Sequence, residues 1–334
     1  MKCAEIQQPG PAQELRIVER PDPQPGDRQV LVSITASAVN PIDTYIRAGS
    51  IPMPVDFPYV PGCDLAGSVV AVGRNVTQFK PGDRVWASNQ GLFKRQGTLA
   101  QLIAVDEDWV YPTPAEMSDQ DAAAGALTGI TAHLGLRQFA SLQPGELVFV
   151  NGGTGGVGSM VVQFAKALGA RVITTAGTED KRDLCRKLGA DVALDYNSPT
   201  LDSEIRTAAA EHGGIGLWWE TQREPDMMRT IGFMKRRGRI VVMAGRQAQL
   251  QFTLGPFYVN DLQLLGFAMF NATPAEQRAC AEEMNQWYVQ GLWRPLVGQT
   301  FPLAQVAEAH QLQEDNTLHK QKTLSGKILV LPTA

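Results

Sequence analysis

Residues 147–158 read LVFVNGGTGGVG, a short apolar run followed at once by a glycine-rich turn. The turn matches the pattern Gly-x-Gly-x-x-Gly from Gly153 to Gly158, and helical spacing of apolar residues predicts a helix from Gly156 to Leu168. Strand, glycine turn and helix in this order are typical of a dinucleotide site, because backbone N–H groups at the positive end of the helix dipole bind a diphosphate.

The residues of the turn have separate predicted tasks. Gly153 permits the tight turn, Gly155 lets the backbone approach the diphosphate, and Gly158 allows the helix to pack closely on the strand. A chain with 32 glycines could produce such a turn by chance, but the strand before it and the helix after it argue against that alternative. We therefore assign the whole turn to the cofactor site: Gly153, Thr154, Gly155, Gly156, Val157 and Gly158.

Strands and helices alternate around the turn. Apolar strands are predicted at 171–175 and 191–194, with a helix from Thr178 to Gly189 between them. Further strand-like runs lie at 240–243 and near 262–265. This alternation predicts an α/β fold with a doubly wound parallel sheet.

The two ends of the chain have a different character. Residues 1 to about 120 are rich in short β-branched runs and Pro-Gly turns, which predicts a β-rich domain. The last segment ends in a strand at 327–331 and is expected to complete that domain. The predicted division is 1–122 with 295–334 for the β-rich domain and 123–294 for the dinucleotide-binding domain.

Composition and charge exclude several classes of function. The chain has 334 residues, and 30 Lys and Arg against 34 Asp and Glu give a net charge of −4, so we expect no nucleic-acid binding. The basic run at 235–239 is interpreted as a helix C-terminus capped by Gly238. No apolar stretch is long enough for a membrane span. Four distant cysteines and scattered histidines predict free thiols, a cytoplasmic location and no metal cluster.

The end of the second strand of the parallel sheet bears on the choice of coenzyme. NAD sites usually place an acidic residue there, but this chain has Thr, Thr, Ala, Gly and Thr at 174–178. Lys181 follows one turn into the next helix, which favours NADPH with Lys181 at the 2′-phosphate. Glu179 and Asp180 leave NADH open, although acids are also usual in a first helical turn.

Three N-terminal segments resemble a known family. Residues 40–49 (NPIDTYIRAG), 60–67 (VPGCDLAG) and 79–85 (FKPGDRV) resemble medium-chain dehydrogenases/reductases, and within them the zinc-free quinone oxidoreductases related to zeta-crystallin. The glycine turn and the closing Gly326-Lys327-Ile328 agree with this. The resemblance implies a GroES-like catalytic domain, a Rossmann domain and NADPH. It also implies a homodimer or homotetramer that pairs edge strands near 262–270.

The positions that hold catalytic zinc in zinc-dependent relatives are changed. The resemblance places Asn40 and Cys63 where those relatives carry Cys and His. An amide is a poor zinc ligand, and one thiolate cannot form a three-ligand site. We therefore predict that there is no metal site and that Cys63 is a packed thiol.

The remaining site residues are implied by the resemblance. Asn40 and Tyr45 are expected beside the nicotinamide as hydrogen-bond donors, Arg47 as an added positive charge, and Thr131 near the nicotinamide ribose. Each has a structural alternative: a turn cap for Asn40, a core aromatic for Tyr45, a pair with Asp43 for Arg47 and helix packing for Thr131. The other residues assigned to the cofactor site are Gly177, Tyr196 and Lys327.

The predicted function is an NADPH-dependent quinone oxidoreductase that transfers hydride to a quinone or similar conjugated small molecule without zinc. One alternative is an NADPH-dependent reductase of enones, enals or enoyl thioesters. A second is a catalytically weak NADPH-binding sensor or structural protein. The chain departs from the family at 220–223, which reads ETQR where an Asp-x-Val-Gly-like loop is usual, so the preferred acceptor stays open.

Overall fold

The computed structural model describes residues 1–319, 321 and 323–332. The strands are β1 (Lys2–Glu5), β2 (Arg16–Glu19), β3 (Gln29–Val39), β4 (Asp64–Val72), β5 (Arg84–Ala87), β6 (Leu102–Asp106), β7 (Val110–Pro112), β8 (Leu147–Asn151), β9 (Arg171–Ala176), β10 (Val192–Asp195), β11 (Ile215–Glu220), β12 (Met234–Val242), β13 (Gln263–Gly266), β14 (Val297–Pro302) and β15 (Lys327–Leu331). The α-helices are α1 (Pro41–Arg47), α2 (Asp119–Leu134), α3 (Gly156–Ala167), α4 (Glu179–Lys187), α5 (Leu201–Ala209), α6 (Met227–Ile231), α7 (Leu254–Val259), α8 (Pro274–Val289) and α9 (Val306–Thr317).

The chain divides into two compact units. The first unit comprises Met1–Leu127, Thr273–Gln290 and Arg294–Ala334, and the second comprises Thr128–Ala272 with Gly291–Trp293. The division from sequence placed α8 in the dinucleotide-binding domain, whereas its contacts place it in the first unit. Trp86 Nε1 donates to Asn285 Oδ1 at 3.2 Å, and Arg278 Nη2 donates to the backbone oxygen of Glu107 at 3.1 Å.

The first unit is built on a seven-stranded sheet. Its order is β14-β15-β3-β4-β5-β7, and β6 pairs with β3. The C-terminal strand β15 runs antiparallel to β3, so the end of the chain completes this unit. Alternate residues of β3, among them Val30, Val32 and Ile34, are buried in one apolar core, as the period of two along a strand requires.

The second unit contains a six-stranded parallel sheet in the order β10-β9-β8-β11-β12-β13. Numbered from β8 within this sheet, the order is 3-2-1-4-5-6, which is that of the Rossmann fold. The predicted α/β class, with its GroES-like and Rossmann domains, is confirmed. The aromatic core includes Trp218, whose ring stacks on Phe149 at 3.9 Å and on Phe233 at 5.9 Å between centroids.

One local prediction is wrong. The basic run at 235–239 lies in β12, not at the end of a helix. Pairing of β12 with β11 and β13 outweighs the local helix signal, and Arg239 is held by two hydrogen bonds from Nη2 to Glu146, at 2.6 and 2.7 Å. Within the described ranges, no helix is both long and apolar enough to cross a bilayer.

Candidate functional site

The glycine turn connects β8 to α3 and is closely packed. Gly152 has a φ of +93°, and its N–H donates to Thr175 Oγ1 at 3.1 Å. A Cβ on Gly158 would lie 2.0 Å from the Gly152 carbonyl oxygen, and one on Gly153 would lie 2.4 Å from Thr174 Oγ1. Side chains are therefore excluded at 153 and 158 by the packing of the protein itself, which agrees with the tasks predicted for these glycines.

Gly155 differs from its neighbours because space remains beside it. A Cβ there would have its nearest neighbour, the Gly152 carbonyl oxygen, at 3.9 Å. Gly155 is the N-cap of α3, no side chain caps this helix end, and its first turn carries no acid. Uncapped N–H groups at a helix N-terminus attract anions, so the residues present fit a diphosphate. Thr154, Gly156 and Val157 form the rest of this turn.

The strand order also marks this edge of the sheet. The order reverses between β8 and β11, and in open α/β sheets ligands bind outside the carboxyl ends of the strands at such a point. The carboxyl end of β8 leads into the glycine turn, and the carboxyl end of β11 leads into residues 220–223. These two segments therefore flank the expected coenzyme position within the second unit.

The predicted ribose end of the site lies beyond β9. A Cβ on Gly177 would lie 2.3 Å from the Tyr196 hydroxyl, so the structure brings these two assigned residues together. Thr178 caps α4 by accepting from the Lys181 N–H at 3.3 Å, and the Lys181 side chain is half-buried. The interpretation of Glu179 as a first-turn helix acid is consistent with its ion pair to Arg182.

Arg182 is the other cation in this region. Besides Glu179, it pairs with Asp195 at 2.8 Å. Two carboxylates thus already balance the Arg182 guanidinium. A guanidinium that is already paired in this way is poorly placed to bind a 2′-phosphate, and the role of Lys181 at that phosphate stays a prediction.

A buried carboxylate that was not assigned from sequence supports the turn. Glu220 is 2% exposed, and Asn151 Nδ2 donates to its two oxygens at 2.9 and 3.1 Å. Trp218 Nε1 and the Gln222 N–H also donate to it, at 3.0 and 2.7 Å. Burial raises the pKa of Glu220 above its ordinary value. The departure from the family pattern at 220–223 was the only sequence signal.

Thr131 lies in the second unit, on α2, and its side chain is buried. This position agrees with the helix-packing alternative. Its contact with the nicotinamide ribose stays a prediction.

Asn40 belongs to a buried polar cluster in the first unit, which we define as Asn40, Asp43, Cys63, Asp64 and Lys327. Asn40 Nδ2 donates to Asp64 Oδ2 at 2.8 Å, and Lys327 Nζ donates to Asn40 Oδ1. The Asn40 N–H donates to Asp43 Oδ2 at 2.8 Å and caps α1, as its structural alternative predicted. Both ends of the Asn40 amide are thus occupied, and its role as a donor to substrate stays a prediction.

Lys327 was assigned to the coenzyme, but its ammonium is enclosed in this cluster. Besides Asn40, its Nζ donates to the Val39 carbonyl oxygen at 2.7 Å. Burial lowers the pKa of Lys327, and burial raises the pKa of Asp64 and raises that of Asp43 to about 7. These contacts position Asn40 within the first unit, and the contact of Lys327 with the coenzyme stays a prediction.

Arg47 is buried and paired within the first unit. Its side chain is 0% exposed and pairs with Glu314 of α9, 267 residues away, and not with Asp43. His310 of α9 is buried beside it, and burial together with the charge of Arg47 lowers the pKa of His310 to about 3. This burial favours a structural role for Arg47, because an enclosed and paired guanidinium contributes little to a substrate. Tyr45 lies on the same helix and is half-buried.

Cys63 stands at one of the two positions where the resemblance places zinc ligands in zinc-dependent relatives. Burial, with Asp43 and Asp64 nearby, raises the pKa of the Cys63 thiol well above its ordinary value, so the sulfur is held as S–H. No group of three or more His, Cys, Asp or Glu side chains in the described part of the chain is arranged to hold a metal ion.

The GroES-like unit, the Rossmann sheet and the glycine turn together define a medium-chain dehydrogenase/reductase. Residues 26–115 match the family model of the alcohol dehydrogenase GroES-like domain, and residues 156–287 match that of zinc-binding dehydrogenases. Quinone oxidoreductase of Sus scrofa is 31% identical over 316 residues, which covers 92% of this chain and 91% of that protein.

Solved structures agree. A quinone oxidoreductase of Escherichia coli complexed with NADPH superposes with a TM-score of 0.84 at 27% identity, covering 99% of this chain and 100% of that one. An NAD-dependent alcohol dehydrogenase superposes with a TM-score of 0.87 at 27% identity and the same coverage. The chain belongs to the quinone oxidoreductase family, the zeta-crystallin-like branch of this superfamily.

Proposed function

We propose that this protein is an NADPH-dependent quinone oxidoreductase that reduces a quinone or similar conjugated acceptor without zinc. The observation that carries the proposal is the uncapped N-terminus of α3, which has open space at Gly155 within a turn whose packing excludes side chains at 153 and 158. Such a site suits a diphosphate, and family membership supports its use in redox chemistry. When bound, NADPH supplies the hydride.

The residues of the second unit would hold NADPH in a defined orientation. Backbone N–H groups of residues 154–158 bind the diphosphate, and the segment after β9 receives the adenosine half. There, Tyr196 covers Gly177, and Lys181 faces the 2′-phosphate. The end of β9 at 174–178 carries no acidic residue that would bind the ribose 2′-hydroxyl of NAD instead. The preference for NADPH over NADH is assigned to Lys181.

The first unit would supply the groups that assist the acceptor. A quinone that receives hydride gains negative charge on an oxygen, which a hydrogen-bond donor stabilises. Tyr45, half-buried on α1, is the proposed donor, and Asn40 is held beside that helix by Lys327 and Asp64. Zinc is not required because Asn40 and a protonated Cys63 stand at the ligand positions.

The assembly is proposed to be a homodimer through β13. This strand is the edge of the six-stranded sheet, so its outer N–H and C=O groups are available for pairing. Neighbouring α7 exposes Leu254, Tyr258 and Val259 by 63–64% of their surfaces, an apolar patch that a second copy would cover. Light scattering should give twice the chain mass, and Leu264→Lys on β13 should shift it toward the monomer.

The four cysteines are buried and free, which supports the proposal of a reducing, cytoplasmic environment.

The function is tested by stopped-flow oxidation of NADPH against quinones, enals and enoyl thioesters, with NADH as the control coenzyme. Quinone turnover without enal or enoyl turnover supports the proposal, and the reverse pattern supports the alkene reductase. NADPH binding with no reduction of any acceptor would favour a sensor or structural protein. A strong preference for NADH would contradict the role of Lys181, and unchanged turnover in Tyr45→Phe would contradict that of Tyr45.

A further inference from the structure

Glu220 occupies an unusual position for a buried acid. It ends β11 at the point where the strand order of the parallel sheet reverses, and its four hydrogen bonds come from neutral N–H donors. A buried carboxylate without a cation costs stability unless its oxygens are well satisfied. Here the donors come from both segments that flank the expected coenzyme position, Asn151 on one side and Gln222 on the other.

The hydrogen bonds between Glu220 and Asn151 continue into the glycine turn. Glu220 fixes the Asn151 amide so that Asn151 Oδ1 accepts from Thr175 Oγ1 at 3.2 Å. Thr175 Oγ1 accepts in turn from the Gly152 N–H at 3.1 Å, and the Thr175 carbonyl oxygen accepts from the Gly153 N–H at 3.1 Å. The carboxylate is thus connected through two side chains to the backbone that begins the turn.

The hydrogen bond between Glu220 and the Gln222 N–H fixes the loop after β11. Glu220 Oε1 accepts from the Gln222 N–H, and Thr221 Oγ1 donates to the Asn151 carbonyl oxygen. Gln222 Nε2 then lies 3.6 Å from the place of a Cβ on Gly152, so the two loops are in contact at that glycine. Trp218 Nε1 supplies the last donor from within the strand.

We propose that Glu220 is a positioning residue for the coenzyme: it holds the turn at 152–153 and the loop at 221–222 in the geometry that binds the NADPH diphosphate. This inference rests on the proposed function, because it assumes that NADPH binds at the glycine turn. Glu220 touches neither the coenzyme nor the acceptor in this role. It acts through Asn151, Thr175 and the Gln222 N–H.

The first test is Glu220→Gln, measured by fluorescence titration with NADPH and by steady-state kinetics. A glutamine presents one acceptor oxygen to three donor groups, so one of them loses its partner and the two loops shift. We expect the Kd and KM for NADPH to rise about 10-fold, the loss of roughly one hydrogen bond to a charged group, with kcat at saturating NADPH unchanged. Tighter binding of NADPH would overturn the proposal, because it would mean that the carboxylate acts by repelling the phosphates.

A swap of the two side chains provides a rescue. In the double variant Asn151→Asp with Glu220→Gln, the amide nitrogen at 220 donates to the carboxylate at 151, which still accepts from Thr175. The oxygen at 220 remains for Trp218 and the Gln222 N–H. We expect the KM for NADPH to return to within about 3-fold of the wild-type value. A double variant with a KM no better than that of Glu220→Gln would overturn the proposal, even where both variants fold.

Asp191→Asn is the matched control. Asp191 also accepts from a backbone N–H, that of Val172 at 2.7 Å, and from Lys166, but it lies at the amino ends of the parallel strands. The Asp191→Asn variant should have a lower melting temperature than the wild type and the same KM for NADPH. Should Glu220→Gln behave in the same way, Glu220 is structural only and the inference fails. A wild-type protein that binds no NADPH would instead refute the proposed function.

Discussion

Replacing Gly155 by alanine should weaken binding of the coenzyme while leaving the fold intact. The added Cβ has its nearest protein atom at 3.9 Å, which is ordinary van der Waals contact, and the backbone at φ −72° and ψ 166° is open to any L-residue. The lower entropy of the unfolded chain favours alanine by about 0.4–1 kcal/mol, and the poorer N-cap disfavours it by about 0.5–1 kcal/mol. We therefore expect no net change in stability.

The coenzyme meets a different situation at the same position. The methyl group of alanine would stand in the open space over the N-terminus of α3, where backbone N–H groups are expected to contact the diphosphate. Displacing the diphosphate from one charge-assisted hydrogen bond costs about 1.5–3 kcal/mol, which corresponds to a Kd about 10- to 150-fold higher. Fluorescence titration with NADPH measures this value, and thermal unfolding of the same sample measures the fold.

Gly158→Ala gives the contrasting result. Its Cβ would lie 2.0 Å from the Gly152 carbonyl oxygen, so backbone must move and we expect a loss of about 1–3 kcal/mol in stability. A Gly155→Ala protein that binds NADPH as tightly as wild type would refute the assignment of this helix N-terminus to the diphosphate. A Gly155→Ala protein that unfolds would refute the conclusion that the space beside Gly155 can hold a Cβ.

Three further outcomes are expected. Lys181→Ala should lower the ratio of kcat/KM for NADPH to that for NADH about 10-fold, through loss of one phosphate contact, and an unchanged ratio in parallel assays would exclude Lys181 from specificity. Lys327→Met should cost about 3–5 kcal/mol in denaturant unfolding because it leaves Asp64 buried without its cation, and adding Asp64→Asn should recover part of this loss; strictly additive effects would count against the pairing. The pKa of His310 is about 3 in the fold against 6.5 in the unfolded chain, so acid favours the unfolded chain, which takes up the proton first. The free energy of unfolding should therefore be highest above pH 6.5 and lower by about 2 kcal/mol at pH 5. His310→Leu should reduce this pH dependence, and identical slopes of unfolding free energy against pH in the two proteins would contradict the role of His310.

Local signals predicted the second unit closely. The predicted helix from Gly156 to Leu168 is α3 at Gly156–Ala167, and the predicted strand at 171–175 is β9 at Arg171–Ala176. Both segments have strong periodicity and clear glycine ends, and parallel strands buried on both faces show as short apolar runs. The basic run at 235–239 lacked such a pattern, so end-of-helix charge rules were applied where sheet pairing decides the structure.

Contacts between residues distant in sequence could not be predicted. Arg47 and Glu314 are 267 residues apart, and Asn40 and Lys327 are 287 apart. The motif that contains Asn40 and Arg47 shows which residues are present, but it does not show which distant side chains bury and neutralise them. For that reason the sequence assigns chemical roles to Arg47 and Lys327 without showing the buried partners that the structure gives them.

The polar cluster in the first unit shows how these N-terminal motifs remain ordered with an amide at position 40. Asp43 and Asp64 are fully buried acids, and burial alone would disfavour their charged forms. The Lys327 ammonium lowers the pKa of both carboxyls, and it donates to Asn40, whose Nδ2 donates to Asp64. A positive charge that a bound metal could supply is therefore provided here by a side chain from the last strand, β15. Because that strand pairs with β3, which ends at Val39 directly before Asn40, strand pairing itself brings the Lys327 cation to this cluster.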